Sequence, residues 1–255
     1  MERKKKILFL DILTDDRRLR RLIHKRLYGG KAYADCIAAS LGVRKGELRV
    51  VDAAFEELPS RPDDFIAIII GGSALDPVKK RDRSWIGRSY GFIKKAHARR
   101  VPILGICGGL QFTVRALGGS VIFNPKGWHF GTARVSLTTR GMRDPLFKGI
   151  PRAFAATCNH RCIAPRMKPG WRRLASSANT QNEAIAIGAH TRLVMFHPER
   201  TLSAARASAM GNKEALAKEH VIRVDDFSDF LASLADTSAT GKKIMRNFLK
   251  HFARR

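Results

Sequence analysis

The chain has 255 residues, 44% of them hydrophobic, which is enough for one large domain or for one domain with an appended piece. It carries 48 Lys and Arg against 22 Asp and Glu, a formal net charge of +26. No apolar run approaches the roughly 20 residues that span a bilayer, and the first one is broken by Asp11 without a cleavage site. We therefore expect a soluble, cytoplasmic protein with no membrane association.

The positive charge favours acidic partners such as nucleic acid, nucleotides or an acidic protein surface. The basic residues are spread along the chain, with local density in ERKKK, DDRRLRRLIHKR and KHFARR. No recognition-helix pattern, zinc finger or aromatic RNA-binding signature accompanies them. A solvated Arg-rich surface is the favoured interpretation, and a nucleic-acid partner is the less favoured one.

Strand and helix signals alternate along the chain, which predicts an α/β fold: a three-layer, flavodoxin-like architecture around a central, mostly parallel sheet. The run FIAIIIGG is continuously apolar, as in a central strand covered on both faces. Predicted strands lie at 6–13, 48–55, 65–72, 101–106, 120–124, 132–139, 183–189 and 192–199, and predicted helices at 33–42, 84–100, 110–119 and 241–255.

The segment from about 201 to 240 has a different character. SAARASAMGNKEALAKEH is rich in Ala and polar on most faces, and DDFSDFLASLADTS predicts a second short helix. We expect one domain over residues 1–255, with a helical surface insertion or lid at about 201–240 before the last helix.

Four cysteines are too few and too scattered to indicate a disulfide framework: Cys36, Cys107, Cys158 and Cys162. Two of them bracket His160 in CNHRC. A Cys-x3-Cys pair without a second Cys/His pair is a weak zinc signal. The sequence therefore predicts no metal and no cofactor.

The stretch VPILGICGGLQ places Cys107 where an apolar strand ends and a helix begins. A cysteine acts as a nucleophile only as the thiolate, and backbone N–H groups at a helix N-terminus stabilise that form. Flanking glycines tolerate strained backbone angles and close approach of a substrate. The G-I-C-G-G pattern thus corresponds to a nucleophile elbow with Cys in place of Ser. A small core cysteine beside packing glycines is the alternative.

The stretch RLVMFHPER indicates a base and its partner. In an extended segment, residues two apart point to the same side, so Glu199 can accept the N–H of His197 and fix its tautomer. The other ring nitrogen would then face a thiol. Cys107, His197 and Glu199 together satisfy the logic of a Cys-His-acid triad.

The turn IIIGGSALD follows a buried strand and can present a free backbone N–H. With the amide of Gly108, an N–H from Gly72 would complete an oxyanion hole, in which one donor is typically worth roughly 10²–10³ in rate. The alternative interpretation is an ordinary strand-to-loop turn, which the same residues would also form.

These motifs together resemble class I (triad-type) glutamine amidotransferase domains, especially the stand-alone kind related to the glutaminase half of GMP synthase. The resemblance covers roughly residues 5–200 and returns in the last helix. It rests on IIIGGSALD, the Trp-Ile of DRSWIGRS, PILGICGGLQ, ALGGSVIFNPKGWHFG, CNHRC, MFHPER and TGKKIMRNFLKHF.

The resemblance implies a glutaminase that needs no cofactor. Cys107 would attack the glutamine γ-carboxamide, His197 would protonate the departing ammonia, and Glu199 would orient His197. Gly72 and Gly108 match the oxyanion-hole positions, and Gln111 matches a residue that shapes the glutamine pocket. The ammonia would then pass to a partner synthase.

Three departures from the family pattern leave the substrate open. Met195 stands where the family usually has Gln, Gly108-Gly109 where many members have a bulkier residue, and Arg161-Cys162 where a related pattern reads His-x-Asp. A stand-alone γ-glutamyl hydrolase or peptidase is therefore the alternative function. A non-catalytic basic binding protein on the same fold is a third, supported only by the +26 charge.

Overall fold

A computed structural model of the chain describes residues 5–75, 78 and 84–253. Parts of several sequence motifs lie outside these residues, namely most of ERKKK, the end of IIIGGSALD, the start of DRSWIGRS and the last two residues of the predicted C-terminal helix.

A nine-stranded sheet forms the centre of the fold, in the order β2-β1-β3-β4-β11-β10-β9-β6-β7. The first five of these strands run parallel to one another, and the next four extend the sheet through antiparallel pairings. The parallel strands are β1 Ile7–Asp11, β2 Leu48–Asp52, β3 Ala67–Ile70, β4 Ile103–Ile106 and β11 Thr191–Val194. The extension is β6 His129–Leu137, β7 Ala153–His160, β9 Trp171–Ser176 and β10 Ala184–Ile187.

Helices and a small second sheet complete the described structure. The second sheet pairs β5 Ile122–Phe123 with β8 Cys162–Ile163. The helices are α1 Arg17–Leu27, α2 Tyr33–Leu41, α3 Ser84–Ala98, α4 Gly108–Ala116, α5 Thr139–Arg143, α6 Leu202–Gly211, α7 Lys213–Lys218, α8 Phe227–Ser233 and α9 Ser238–Phe252. None of them combines the length and the apolar character that a bilayer crossing requires.

The two faces of the sheet bury different helices, because side chains alternate along each strand. Ile7 and Phe9 of β1 lie in a core with apolar side chains of α2 and α9. Leu8 and Leu10 lie on the opposite face, in a core with side chains of α3 and α4. Strands covered on both faces read as continuous apolar runs, which is why FIAIIIGG has no polar alternation. The predicted three-layer α/β architecture with a mostly parallel sheet is confirmed.

Some elements differ from the sequence prediction. Of the predicted strand at 120–124, Ile122–Phe123 form β5, which pairs with β8 in the second sheet. Helix α1 was interpreted only as a dense basic segment. It begins at Asp16, whose side chain accepts the N–H groups of Arg18 and Leu19, and its basic side chains cover the solvent face. Strands β7 and β9 were also missed.

The segment 201–240 contains α6, α7 and α8. Side chains of α6 and α8 form a small core of their own with Phe130 on β6, built from Ala205, Ala209 and Leu234 with Phe230 against it. The interpretation of this segment as an insertion in a single domain remains a prediction.

Helix α9 holds the segment that follows β11. Gly241 packs so closely that a Cβ added there would overlap the carbonyl group of Pro198. Since Pro198 lies between His197 and Glu199, this contact positions the backbone from which both side chains extend.

We expect Gly241→Ala to lower the free energy of unfolding by about 1–3 kcal/mol, because the added methyl group has no room against the Pro198 backbone. Gly91→Ala in α3 is the matched control, since nothing lies within 4 Å of its Cβ position, and it should stabilise the protein by about 0.5–1 kcal/mol. Urea unfolding of both variants measures the difference. Equal effects would contradict the packing argument.

Candidate active site

Cys107 lies at the corner between β4 and α4. Its backbone has φ 49° and ψ −100°, in the region where a residue with a side chain is strained. The residue is the N-cap of α4, and its N–H donates to the Val194 carbonyl of β11 at 2.8 Å. The sharp turn from strand to helix thus directs a buried thiol, 4% exposed, to the carboxyl edge of the sheet.

The glycines around Cys107 are required by packing. A Cβ at Gly105 would lie 2.7 Å from the carbonyl oxygen of Gly109, and one at Gly109 would overlap the Ile70 carbonyl. A Cβ at Gly108 would overlap the backbone nitrogen of Ser73. Helix α4 therefore begins in direct backbone contact with β3 and its following loop, and larger residues would push it away.

His197 and Glu199 lie at the same edge of the sheet as Cys107. Strand β11 pairs in parallel with β4, with Val194 opposite Ile106, so both chains leave the sheet side by side. The Nδ1 atom of His197 lies 2.8 Å from Oε1 of Glu199. Its Nε2 atom is buried and makes no hydrogen bond of ordinary geometry within the described residues. The free ring nitrogen is thus the one available to a thiol.

Two opposing effects set the charge of this pair. Burial and the Arg200 guanidinium lower the pKa of His197, but the Glu199 carboxylate and the Cys107 sulfur outweigh them and raise it above 6.5. Burial raises the pKa of Glu199, while the charge and hydrogen bond of His197 together with Arg200 bring it below 4.5. The imidazolium–carboxylate form therefore prevails in the pH range between these two pKa values.

Tyr33, at the start of α2, connects this pair to the loop after β3. Its hydroxyl lies 3.0 Å from Oε1 of Glu199 and accepts the backbone N–H of Gly72 at 2.9 Å. Because the hydroxyl accepts from Gly72, its own proton is available to the carboxylate. No sequence pattern indicates this role, since Tyr33 begins an ordinary helical segment.

Gly72 and Gly108 are both brought to the Cys107 corner, but their N–H groups differ. The Gly72 N–H is already bonded to Tyr33, and a Cβ there would lie 3.1 Å from Cε1 of His197. The N–H groups of Ser73 and Gly108 make no hydrogen bond to any described residue. The pair of adjacent unbonded donors is therefore Ser73 and Gly108.

Gln111 lies one turn into α4 and borders the space in front of Cys107. Its amide nitrogen donates to the Cys162 carbonyl at 3.1 Å and lies 3.8 Å from the sulfur of Met195. The Met195 that departs from the family pattern thus packs against the Gln111 amide rather than pointing away from it.

A cavity of about 340 Å³ opens in front of Cys107 and His197. Its apolar lining comes largely from α1, and its polar lining includes the end of β7, the following Arg161, and residues in and just after α6. The lining side chains include Leu13, Leu19, Ile23, Leu27, Tyr28, Gln111, Trp128, Asn159, His160, Arg161, Ser208 and Asn212.

Arg161 joins the cavity rim to the helical segment. Its guanidinium lies 3.4 Å from the centre of the Trp128 ring and pairs with the Glu219 carboxylate at 2.7 Å. Glu219 ends α7. The 201–240 segment is thereby fixed beside the cavity through a residue that also departs from the family pattern.

Of the two cysteines of CNHRC, Cys158 belongs to a cluster of possible metal ligands that does not include Cys162. Cys158 lies with His129, His160 and Glu183, and their ligand atoms are within 4.8 Å of one another. These four residues are the ones in the described chain whose donor atoms could hold a metal ion.

Comparisons with known proteins agree on one family. The family model for glutamine amidotransferase class-I matches residues 29–215. A GMP synthase [glutamine-hydrolyzing] of Thermosipho africanus is 37% identical over 102 residues, 40% of this chain but only 19% of that protein. Gamma-glutamyl peptidase 3 of Arabidopsis thaliana is 26% identical over 243 residues, 89% of this chain and 91% of that protein.

Solved structures show the same fold. A glutamine amidotransferase from Thermotoga maritima superimposes with a TM-score of 0.76 at 15% identity, covering 99% of this chain and 100% of that one. The family match extends over most of the chain and includes both the Cys107 corner and the His197-Pro198-Glu199 segment. The chain belongs to the class I glutamine amidotransferase family.

Proposed function

We propose that this protein hydrolyses the γ-amide of glutamine through a thioester on Cys107 and supplies the ammonia to a partner synthase. The observation that carries the proposal is a buried thiol at a strained strand-to-helix corner, beside a His197–Glu199 pair whose second ring nitrogen is the one available to that thiol. Both border one cavity large enough for a small substrate. Membership of the family supports the same reaction class.

In the first half of the reaction, the Cys107 thiolate attacks the γ-carbonyl carbon. The carbon–nitrogen bond breaks, and the protonated His197 donates its Nε2 proton to the departing nitrogen, which leaves as ammonia. The raised pKa of His197 keeps that proton on the ring until it is needed. In the second half, His197 takes a proton from water, the resulting hydroxide attacks the thioester, and glutamate leaves as the carbon–sulfur bond breaks.

The negative charge on the carbonyl oxygen needs two donors. The sequence predicts Gly72 and Gly108 as these donors, but the hydrogen bond from the Gly72 N–H to Tyr33 favours Ser73 in place of Gly72. The Ser73 and Gly108 amides lie against one another and are not committed elsewhere in the described chain. Preorganised donors of this kind contribute without reorganisation during the reaction. Gln111 borders the same space and would help shape the pocket for the substrate.

The partner is assigned from what the chain matches. The match to a glutamine-hydrolysing GMP synthase covers 19% of that relative, so most of the relative has no counterpart in the matched region. The 255 residues contain no G-x4-G-K-[ST] phosphate loop. We therefore propose that the ammonia acceptor site lies outside the 102 residues that match GMP synthase.

The first test is glutamine hydrolysis by the purified chain. We expect Cys107→Ala to lower glutamate release by at least about 10⁴-fold, because no other group can carry the acyl intermediate. Cys36→Ala, a half-buried thiol on α2 outside the cavity, should leave the rate unchanged. Labelling with a glutamine chloroketone, located by mass spectrometry, should modify Cys107. A folded protein in which Cys107 stays unmodified would contradict the proposal.

A second candidate is hydrolysis of γ-glutamyl amides of larger amines without ammonia delivery. The apolar cavity wall formed by Leu19, Ile23 and Leu27 favours it, since glutamine itself offers no apolar group to that wall. The match to a gamma-glutamyl peptidase over nine-tenths of both chains supports it as well.

The two candidates differ in their response to a change in the α1 wall. If larger γ-glutamyl amides are the substrates, Leu19→Asp should lower kcat/KM for γ-glutamyl-leucine by about 10-fold or more, since it places a charge against the apolar group. Leu22→Asp on the same helix, equally exposed but outside the cavity, should have little effect. Turnover of glutamine faster than of γ-glutamyl-leucine in the unaltered protein, with no effect of Leu19→Asp, would exclude this candidate.

Tyr33 provides a test of the hydrogen-bonded connection between Glu199 and Gly72, in the loop after β3. Tyr33→Phe removes the partner of both Glu199 and the Gly72 N–H, so we expect kcat to fall by about 10-fold and stability by about 1–3 kcal/mol. Tyr28→Phe is the control, because its ring stacks on Tyr33 with centroids 4.9 Å apart and its hydroxyl makes neither bond. Steady-state kinetics and urea unfolding of both variants distinguish the hydroxyl from the ring.

A further inference from the structure

Four metal-ligating side chains converge behind the Cys107 corner. His129 on β6 and His160 on β7 are opposite each other in the antiparallel register. Cys158 lies two residues before His160, on the same face of β7. Glu183 directly precedes β10 and brings a carboxylate to the same point. The four donor atoms lie within 4.8 Å of one another.

The spacing of these atoms is close to that of ligands around one ion. Four ligands at zinc-like bond lengths of 2.0–2.3 Å in a tetrahedron are about 3.3–3.8 Å apart. Nδ1 of His129 lies 3.2 Å from Nε2 of His160 and 3.5 Å from Oε1 of Glu183. The largest separation among the four donor atoms is no more than 4.8 Å.

All four side chains are buried, and two polar atoms among them, Nδ1 of His160 and Oε2 of Glu183, have no partner within the described residues. The exposed fractions are 7% for His129, 1% for Cys158, 4% for His160 and 0% for Glu183. The Ser177 hydroxyl donates to Oε1 of Glu183 at 2.7 Å, whereas Oε2 of Glu183 makes no hydrogen bond to any described residue. Leaving a buried carboxylate oxygen unpaired is costly, and a bound cation would remove that cost.

We propose that His129, Cys158, His160 and Glu183 bind one zinc ion in a closed, four-ligand structural site. Two imidazole nitrogens, one sulfur and one carboxylate oxygen form a donor set that suits zinc, whereas magnesium and calcium prefer oxygen donors throughout. Two neutral histidines, a thiolate and a carboxylate around a divalent cation add up to zero net charge. A neutral centre is the arrangement that a buried site tolerates best.

The protonation states of the group agree with ligation. Burial lowers the pKa of His129 to about 4, and burial with the neighbouring histidines lowers that of His160 to about 3, so both rings are neutral with lone pairs to donate. Burial raises the pKa of Glu183 to about 7 and that of the Cys158 thiol well above its usual range. Binding of the ion would displace the thiol proton, and any proton on Glu183, to solvent.

The site would stabilise the strand that backs the nucleophile. The Cys107 sulfur lies 3.7 Å from the carbonyl oxygen of Asn159, the residue between Cys158 and His160. A metal held by both neighbours of Asn159 fixes that carbonyl in place. All four proposed ligands are protein side chains, so the ion has a structural role and leaves no open position for chemistry.

The test is the metal content of the full chain purified from zinc-supplemented medium and dialysed against a weak chelator. We expect about one zinc per chain by mass spectrometry of the element, and less than about 0.1 in Cys158→Ser and in Glu183→Gln. Cys162→Ser, which changes the other buried cysteine of CNHRC, should retain the metal. With cobalt in place of zinc, a thiolate-to-metal absorption band should appear in the unaltered chain and vanish in Cys158→Ser.

Stability gives a second measurement that does not depend on the variants' metal content as purified. Chelator treatment should lower the midpoint of thermal unfolding of the unaltered chain and leave that of Glu183→Gln unchanged. A folded, unaltered chain that holds less than about 0.1 zinc after refolding with zinc would overturn the proposal. Zinc that is lost equally from Cys162→Ser or Cys107→Ser would overturn it too, because the metal would then belong to another thiol.

Discussion

The parallel pairing of β4 with β11 is the constraint on which the candidate active site depends. It aligns Ile106 with Val194, and the Cys107 N–H extends the ladder by one bond to Val194. Because both strands end at this edge, the residues that follow them emerge side by side. A thiol and an imidazole that are distant in the sequence thus share one corner of the sheet, with Glu199 fixed behind the ring.

Close backbone packing maintains that corner. Helix α4 begins against the loop after β3 with no room for side chains at Gly108 or Gly109. On the other side, Gly241 of α9 brings its helix against the Pro198 carbonyl. The strained conformation of Cys107 is therefore enclosed by contacts that permit no relaxation, which is how a fold sustains strain at a reactive residue.

Strand β7 links two buried polar groups of different character. Its Asn159 carbonyl faces the Cys107 sulfur, and the residues on either side of Asn159 belong to the His129–Cys158–His160–Glu183 group. The two groups interact: His197 contributes to the lowered pKa of His160, and Cys107 to the raised pKa of Cys158. A change in the charge of either group would therefore shift the pKa values of the other.

The sequence by itself determined the fold class and the three residues of the proposed triad. Continuous apolar strands, a thiol among glycines and a His-Pro-Glu segment are local patterns, and local patterns are readable without coordinates. The roles of those residues remain predictions. Helix α1 was not predicted, because its many basic residues obscured the helical spacing of its apolar residues. Those apolar residues line the cavity.

Only the tertiary structure decided which distant groups meet. Tyr33 reaches Glu199 across the packing of α2 on the sheet, and its hydroxyl takes the Gly72 N–H that the sequence had assigned to an oxyanion hole. His129 and Glu183 join Cys158 through the pairing of distant strands, whereas the sequence offered only a weak Cys158–Cys162 signal and predicted no metal. Hydrogen bonds and metal ligation depend on ångström distances between elements, and those distances follow from packing that no local pattern encodes.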